Sequence, residues 1–142
     1  MSESIEVHFE GKIAQKAIIC NENKVLLVRD PRMDSVIWEL PGGRMNIDEE
    51  PRDAVAREIQ EELGIQISVG KVVYMEQFIQ ESERKRAFVI VYECHMKNQV
   101  ESIKMSEIEV CEIAWVSYAE LAKYQLFPEY KRALDYYFAN RH

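Results

Sequence analysis

The chain has 142 residues, of which 47% are apolar and 30% are charged, and this composition is typical of a globular protein and argues against a disordered one. A chain of this length can bury a sizeable core, so we expect a single domain over residues 1–142. The formal net charge of −7 argues against duplex nucleic acid as the main partner, because phosphate backbones are bound by basic surfaces. An anionic ligand would need a cation between itself and this acidic protein.

The three cysteines, Cys20, Cys94 and Cys111, are odd in number and widely spaced, and each lies in an apolar, strand-like run. This pattern predicts small buried hydrophobic residues instead of a disulfide or a metal site. Residues 1–12 lack the apolar core of a signal peptide, and no run approaches the length of a membrane span. We therefore expect a cytoplasmic protein.

The first third of the chain has two strand patterns. Two β-branched or Leu-rich runs within residues 12–30 are separated by Asn-Glu-Asn at residues 21–23, which predicts a β-hairpin. Residues 36–43, VIWELPGG, predict another short strand. The Pro-Gly-Gly sequence at residues 41–43 should end it in a turn through which no regular element continues.

Residues 50–63 have the pattern of a helix, with Pro51 in its first turn and Gly64 as its stop. At about 100° per residue, the side that we assign to the core carries Val55, Ile59 and Leu63. A neighbouring side carries three acidic residues at spacings i, i+3 and i+4, namely Glu58, Glu61 and Glu62. Like charges at these spacings destabilise a helix by about a few tenths of a kcal/mol per pair.

The second half of the chain alternates strand-like and helical patterns. Strands are predicted at residues 66–80, 86–96 and 109–117, and helices at 118–124 and 128–140. The charged residues 81–85 would join the first two of these strands as a hairpin. Ser117 followed by Glu120 is a capping-box pattern that opens the helix at residue 118. Strands with a helix between them and helices at the end indicate an α/β fold, with a sheet covered on both faces.

A divalent cation would explain why the three clustered glutamates are tolerated. Mg²⁺ prefers a few carboxylates together with water and the phosphate oxygens of a substrate. The glycine pair at residues 42 and 43 lets backbone groups approach closely, and a nearby carboxylate can deprotonate water. The cluster therefore indicates magnesium-assisted pyrophosphate chemistry, while the charges alone would also fit a solvated acidic helix face.

Residues 43–65 match the Nudix box, G-x5-E-x7-R-E-U-x-E-E-x-G-U with U a bulky aliphatic residue, at every position. The matching residues are Gly43, Glu49, Arg57, Glu58, Ile59, Glu61, Glu62, Gly64 and Ile65. The flanking sequences KVLLVRD and WELPGG and the late Trp115 also resemble the family, so the resemblance covers residues 13–125. One departure is Asp48, where the family commonly has Gly. Because Asp tolerates turn conformations, we expect a modest loop change there.

The resemblance implies a Nudix-type α/β/α sandwich with a mixed sheet, in which the box forms a loop, a helix and a second loop. It also implies hydrolysis of a nucleoside diphosphate linked to another group, by water attack on phosphorus with Mg²⁺ or sometimes Mn²⁺. Glu49 and Arg57 resemble a salt-bridged pair that orients the loop and the helix. The metal ligands that the resemblance implies are Glu58, Glu61, Glu62 and the backbone carbonyl of Gly43.

Which carboxylate removes the proton from water varies within the family. Glu58 and Glu61 are candidates on the helix, and Glu109 has the position in a late loop where such an acid often falls. Glu107 and Glu112 are close rivals of Glu109, and an exposed loop charge is the other interpretation of all three.

Several further side chains could contact the substrate. Arg44 and Arg29 could bind its phosphates, although isolated surface arginines often have no such role. Four aromatic residues could stack on a base, although core packing is expected for most of them: Trp38, Tyr74, Phe78 and Phe127.

These patterns predict a Mg²⁺-dependent pyrophosphohydrolase acting on a soluble nucleotide, either a nucleoside triphosphate or a nucleoside diphosphate sugar. One alternative is an RNA 5′-pyrophosphohydrolase, which the overall acidity disfavours. Another is a nucleotide-sensing Nudix-like domain without catalysis, which the complete box disfavours. Residues 4–10, SIEVHFE, alternate like an edge strand and could pair in a homodimer, whereas neither a membrane nor nucleic acid is expected as a partner.

Overall fold

The two apolar runs near the N-terminus form the predicted hairpin. In the computed structural model, which describes residues 5–33, 36–80, 83–106 and 108–141, strands β1 (Lys12–Asn21) and β2 (Lys24–Arg29) pair antiparallel. Glu22 and Asn23 form the turn between them, with positive φ angles of 51° and 65°. Two residues with positive φ give a tight turn whose twist matches that of the flanking strands. The hairpin prediction is therefore confirmed.

The remaining strands extend this hairpin into a mixed sheet. They are β3 (Gly42–Arg44), β4 (Ile67–Gln80), β5 (Lys85–Met96) and β6 (Glu112–Ser117). The strand order is β4-β5-β1-β2-β6, with β3 also paired to β1. β1 and β5 run parallel, whereas the other pairs are antiparallel. β4 and β5 form the second predicted hairpin, although residues 81 and 82 of its turn lie outside the described residues.

The prediction that no regular element continues through residues 41–43 is wrong. Strand β3 begins at Gly42 and pairs antiparallel with residues 14–16 of β1, whereas Trp38 and Glu39 make only isolated bridges. Gly42 has a φ of +132°, and a Cβ at this position would lie 2.2 Å from the carbonyl oxygen of Gln15. The missing side chain therefore permits a close approach of β3 to β1, and a composition typical of turns forms a strand here.

The predicted acidic helix is α1 (Pro51–Leu63). The Glu50 carboxylate caps its first turn by accepting hydrogen bonds from the N–H groups of Arg52 (3.0 Å) and Asp53 (3.3 Å). Gly64 ends the helix in the left-handed conformation. The predicted core side is confirmed, because it is fully buried at Val55, Ile59 and Leu63. Each such side chain stabilises the fold by about 1.5–3 kcal/mol, which outweighs the repulsion within the glutamate cluster.

Helices cover both faces of the sheet, which confirms the α/β/α arrangement. On one face, α1 packs over a core cluster that includes residues of β1, β2 and β5. On the other face, α2 (Pro128–Ala139) and the 3₁₀ helix Tyr118–Lys123 cover a second cluster, and a further 3₁₀ helix lies at Val100–Ser102. The 3₁₀ helix Tyr118–Lys123 begins with the predicted capping box of Ser117 and Glu120.

The exposure of the cysteines differs from the expectation at one position. The three thiols are free; Cys94 is buried and Cys20 is partly buried, as an apolar role requires. Cys111 is exposed, because it lies in the loop before β6 and not in the strand that the pattern predicts from residue 109. The prediction that all three cysteines are buried is therefore wrong for Cys111.

The N-terminal segment does not form the predicted edge strand. Residues 5–10 are irregular, and Ile5 and Val7 are 88% exposed. Ser4, the first residue of the predicted strand, lies outside the described residues. Within the described ranges, no helix is long and apolar enough to cross a membrane.

Candidate active site

Strand β3 lies directly against helix α1 at Gly43. A Cβ on Gly43 would lie 2.6 Å from Oε2 of Glu58, closer than nonbonded atoms approach, so the glycine leaves room for the carboxylate. Burial raises the pKa of Glu58, while the neighbouring guanidinium of Arg57 acts in the opposite direction. A partly buried carboxylate therefore faces the backbone of the glycine pair.

Glu62 lies one turn further along the helix and is only 8% exposed. Its Oε2 accepts a hydrogen bond from the N–H of Gly42 at 3.0 Å. Burial raises the pKa of Glu62 to about 8, although Lys16 and the Gly42 N–H both favour the charged form. Desolvation of the carboxylate therefore outweighs both attractions. A divalent cation beside Glu62 would reverse this balance, because a coordinating carboxylate is deprotonated.

Arg57 gathers three acidic side chains around its guanidinium group. Its Nε and Nη2 donate to the two oxygens of Glu49 at 2.7 and 3.0 Å. Its Nη1 donates to Glu61 at 3.1 Å and lies 3.1 Å from Oε1 of Glu58. The fork-shaped pair with Glu49 ties the loop before α1 to the helix, and the hydrogen bonds from Arg57 lower the pKa of Glu49. The side chain of Glu61 is 48% exposed, and it does not line the cavity that opens beside β3 and α1.

A cavity of about 1130 Å³ opens beside β3 and α1. Seven acidic residues line its wall; two of them, Glu58 and Glu62, come from α1, and Glu109 comes from the loop before β6. The lining also includes basic and aromatic side chains, among them Lys12, Lys16, Arg44, Phe78, Phe127 and Tyr130. Such a combination suits an anionic ligand that carries an aromatic ring.

Backbone hydrogen bonds carry Glu109 to this wall. The N–H of Lys104 donates to the carbonyl of Leu63, and the N–H of Ser106 donates to that of Glu62, both at 2.8 Å. These bonds fix the loop to the C-terminal end of α1. Oε2 of Glu109 is buried and has no hydrogen-bond partner within the described residues. A buried oxygen of this kind costs free energy unless a ligand or cation satisfies it.

The other predicted candidates separate into two groups. Arg44 lines the cavity, as a phosphate contact requires. Arg29 instead donates to Glu112 at 2.8 Å, and neither of these two residues lines the cavity. Glu107 lies outside the described residues. These placements favour Glu109 over Glu112 as the distal acid and Arg44 over Arg29 as the phosphate contact.

The aromatic candidates separate in the same way. Phe78 and Phe127 line the cavity, whereas Trp38 is buried in the core and packs edge-to-face against Tyr124. Tyr74 packs against the core cluster and donates its hydroxyl hydrogen to Glu76. Only the first two are therefore placed to meet a base.

The cavity lining includes an ion pair that the sequence-based prediction missed, formed by Lys16 and Glu39. Lys16, 5% exposed, donates from Nζ to Oε1 of Glu39 at 3.2 Å and to the carbonyl of Gly42 at 3.1 Å. Burial alone would lower the pKa of Lys16, but Tyr130 and the carboxylates of Glu39 and Glu62 raise it above its ordinary value. The available sequence signal is a lysine in the middle of an apolar strand, where charges are rarely buried.

The carboxylates have the right chemistry for a hard cation. Within residues 5–33, 36–80, 83–106 and 108–141, no three Asp, Glu, His or Cys side chains are grouped as a preformed metal site. However, Glu58, Glu62 and Glu109 place carboxylate oxygens on the wall of one cavity, and oxygens are the ligands that Mg²⁺ prefers. Oε2 of Glu109 has no hydrogen-bond partner within the described residues, and the raised pKa of Glu62 shows that its neighbours only partly offset its burial.

Comparisons with known proteins show the family to which the chain belongs. Residues 12–137 match the family model of the NUDIX domain. The chain is 31% identical over 114 residues to a CTP pyrophosphohydrolase of Escherichia coli (strain K12), a match that covers 79% of this chain and 80% of that one. It is 37% identical over 87 residues to diphosphoinositol polyphosphate phosphohydrolase 3-alpha of Mus musculus, covering 58% of this chain and 51% of that one. The chain thus spans about half the length of the mouse relative.

The fold is also similar to that of a solved structure. The MutT protein from Methanosarcina mazei Go1 superposes with a TM-score of 0.74 at 30% identity, covering 92% of this chain and 96% of that one. The family model covers most of the chain, and three residues of the box, Gly43, Glu58 and Glu62, line one cavity. The chain therefore belongs to the Nudix family and is a Nudix pyrophosphohydrolase.

Proposed function

We propose that this protein is a Mg²⁺-dependent nucleoside triphosphate pyrophosphohydrolase. The observation that carries the proposal is one cavity whose wall combines Glu58, Glu62 and Glu109 with the aromatic rings of Phe78 and Phe127. Its volume of about 1130 Å³ is sufficient for a nucleotide. The likeness to the Escherichia coli CTP pyrophosphohydrolase supports a nucleoside triphosphate, and a nucleoside diphosphate sugar is the second candidate.

The metal-binding residues in this proposal are Glu58, Glu62 and the backbone carbonyl of Gly43, with Glu61 contributing through water. When bound, Mg²⁺ or Mn²⁺ polarises the phosphate oxygens and lowers the pKa of the attacking water. The ion pair with Arg57 holds Glu61 on the same part of the helix as Glu58.

The protein's own side chains supply the proton acceptor and the orientation. Glu109 or Glu58 accepts a proton from water, whose oxygen forms a bond to phosphorus while the bridging P–O bond of the anhydride breaks. Cleavage of the α–β bridge of a nucleoside triphosphate then yields a nucleoside monophosphate and pyrophosphate. Arg44 on the cavity wall donates to phosphate oxygens, for which its planar guanidinium is suited.

A substrate screen tests this proposal. The purified chain is incubated with nucleoside triphosphates, nucleoside diphosphate sugars, ADP-ribose, dinucleoside polyphosphates and 5′-triphosphorylated RNA, each with Mg²⁺ or Mn²⁺. We expect nucleoside monophosphate and pyrophosphate from triphosphates. Faster cleavage of the sugar conjugates or of RNA would contradict the proposed substrate class.

The variant Glu62→Gln tests the metal ligands. It keeps the shape of the side chain and an oxygen that can accept from the Gly42 N–H, so the fold should persist while turnover falls by several orders of magnitude. Circular dichroism and thermal unfolding check the fold. Wild-type rates in this variant with excess Mg²⁺ would show that the ligand assignment is wrong.

Homodimerisation stays a prediction that rests on the N-terminal segment. Ile5 and Val7 are exposed apolar side chains that a second copy could cover. Size-exclusion chromatography with light scattering checks it, and a clean species of 16.7 kDa would remove the dimer.

A further inference from the structure

Building on the proposed function, we propose that Lys16 and Glu39 recognise the hydrogen-bonding edge of the substrate base and select cytosine over uracil. Both side chains line the cavity that also contains the acidic residues of the Nudix box. Their charged atoms, Nζ of Lys16 and Oε1 of Glu39, lie 3.2 Å apart. A donor and an acceptor are thus presented side by side on the cavity wall.

The fold by itself does not require this ion pair. Lys16 lies on the central strand β1 between Ala14 and Ile18, which point to the same face and pack in the apolar core cluster. An apolar side chain at position 16 would continue that pattern. Burying an ammonium group is costly, and an apolar replacement of a buried ion pair is often neutral or stabilising. A buried lysine at this position therefore indicates a role in binding.

Both charged groups keep hydrogen-bonding capacity for a ligand. An ammonium group has three donors, and two oxygen acceptors are recorded for Lys16 within the described chain, Oε1 of Glu39 and the carbonyl of Gly42. The Glu39 carboxylate accepts one hydrogen bond within the described residues, from Nζ of Lys16 to Oε1. The Tyr130 side chain is a further neighbour of the Lys16 ammonium, so a ligand would share the third N–H with it, whereas Oε2 of Glu39 remains for a ligand.

A base that carries an amino group complements this pair. Cytosine presents acceptors at N3 and O2 beside the N4 amino donor, so Lys16 would donate to the ring acceptor and Glu39 would accept from the amino group. Uracil has a carbonyl oxygen in place of the amino group, which would face the Glu39 carboxylate without a proton between them. Buried polar sites of this kind discriminate strongly, because the wrong partner leaves a group unpaired.

The neighbouring groups favour a base over a phosphate at this position. Lys16 already pairs with the carboxylate of Glu39, whose negative charge would repel an anion. The ring of Tyr130 lies under Nζ of Lys16, with its centroid at 5.4 Å, and packs edge-to-face against Phe127. Phe127 lines the same cavity and offers an aromatic face for stacking.

The test compares CTP with UTP for the wild type and three variants. Glu39→Gln replaces one carboxylate oxygen with an amide that can donate to the uracil carbonyl, and Lys16→Met removes the ammonium at similar length. Lys12→Met is the matched control, since Lys12 lies on the same strand and lines the same cavity but pairs with Glu83. We expect a wild-type preference for CTP of at least about tenfold in kcat/KM. Glu39→Gln should bring that ratio close to one, Lys16→Met should reduce it by at least about threefold, and Lys12→Met should leave it unchanged.

A binding experiment without catalysis separates this inference from the proposed function. Isothermal titration of CMP and UMP in EDTA should show tighter binding of CMP to the wild type and equal binding of both to Glu39→Gln. If the wild type hydrolyses neither triphosphate, the proposed function fails, and the CMP and UMP affinities still decide the base site. A wild-type CTP to UTP ratio that persists in folded Glu39→Gln would overturn the inference. A change in Lys12→Met as large as that in Glu39→Gln would overturn it equally.

Discussion

Gly43 lies so close to Glu58 that a Cβ on the glycine would stand 2.6 Å from Oε2 of the carboxylate. The adjacent glycine, Gly42, has a different neighbour, because its Cβ would meet the carbonyl oxygen of Gln15 at 2.2 Å. The first contact is with the end of a flexible side chain, whereas the second is with the backbone of the central strand. The two glycines therefore have separable roles, one for the carboxylate and one for the fold.

Substitution of each glycine by alanine should separate activity from stability. In Gly43→Ala, the Glu58 side chain moves aside, so kcat/KM should fall by about 10–100-fold while the free energy of unfolding changes by less than about 1 kcal/mol. In Gly42→Ala, the backbone clash and the φ of +132° should destabilise the fold by about 3 kcal/mol or more. Urea unfolding and steady-state kinetics check both variants. Equal losses of stability in the two variants would contradict this distinction.

Glu109→Gln tests the orphaned carboxylate oxygen on the cavity wall. If Glu109 accepts the proton from water, kcat should fall by about 10²–10⁴-fold with a small change in KM. Glu112→Gln is the matched control, because Glu112 pairs with Arg29 and does not line the cavity. The control should keep at least half of the wild-type kcat. The opposite ranking of the two variants would assign the distal acid to Glu112.

The pH dependence of stability should reveal the burial of Glu62. Burial raises its pKa from the ordinary 4.5 to about 8, so between these values the folded state holds a proton that the unfolded state has released. The metal-free protein should therefore lose stability as the pH rises from 4.5 to 8, by at most a few kcal/mol.

Thermal unfolding in EDTA at pH 5 and pH 8 measures this effect, and Glu62→Gln serves as the control. The variant should show a smaller pH-dependent loss than the wild type, because it has no carboxyl group to titrate. Added Mg²⁺ should stabilise the wild type at pH 8 more than the variant. Equal pH slopes in the two proteins would show that Glu62 is not the responsible group.

Asp48 holds a backbone conformation that most residues avoid. Its φ is 63°, in the left-handed region, at the position where the Nudix family commonly has glycine. Asp48→Gly should leave the free energy of unfolding within about 0.5 kcal/mol, whereas the β-branched Asp48→Val should lower it by about 1–2 kcal/mol. Urea unfolding distinguishes the two variants. A Val variant as stable as the wild type would mean that the loop relaxes to another conformation.

Local patterns in the sequence predicted most of the secondary structure and the acidic part of the site. The helical spacing of Val55, Ile59 and Leu63 located the buried side of α1, and it necessarily placed Glu58 and Glu62 on a neighbouring side. Backbone geometry alone sets the angle between successive side chains of a helix. The residues that share one side can therefore be identified from the sequence before the fold is known. The end of α1 at Gly64 followed from the same local reasoning.

The sequence by itself determined the Nudix box and the face of α1 that carries its glutamates, because both depend on residues close together in the chain. Only the tertiary structure decided that Gly42 starts a strand, that Lys16 pairs with Glu39, and that the cavity receives Glu109 and not Glu112. These outcomes depend on contacts between distant segments, such as the hydrogen bond from Ser106 to the carbonyl of Glu62. Such contacts are selected by packing and by the need to pair buried polar groups, which no local pattern encodes.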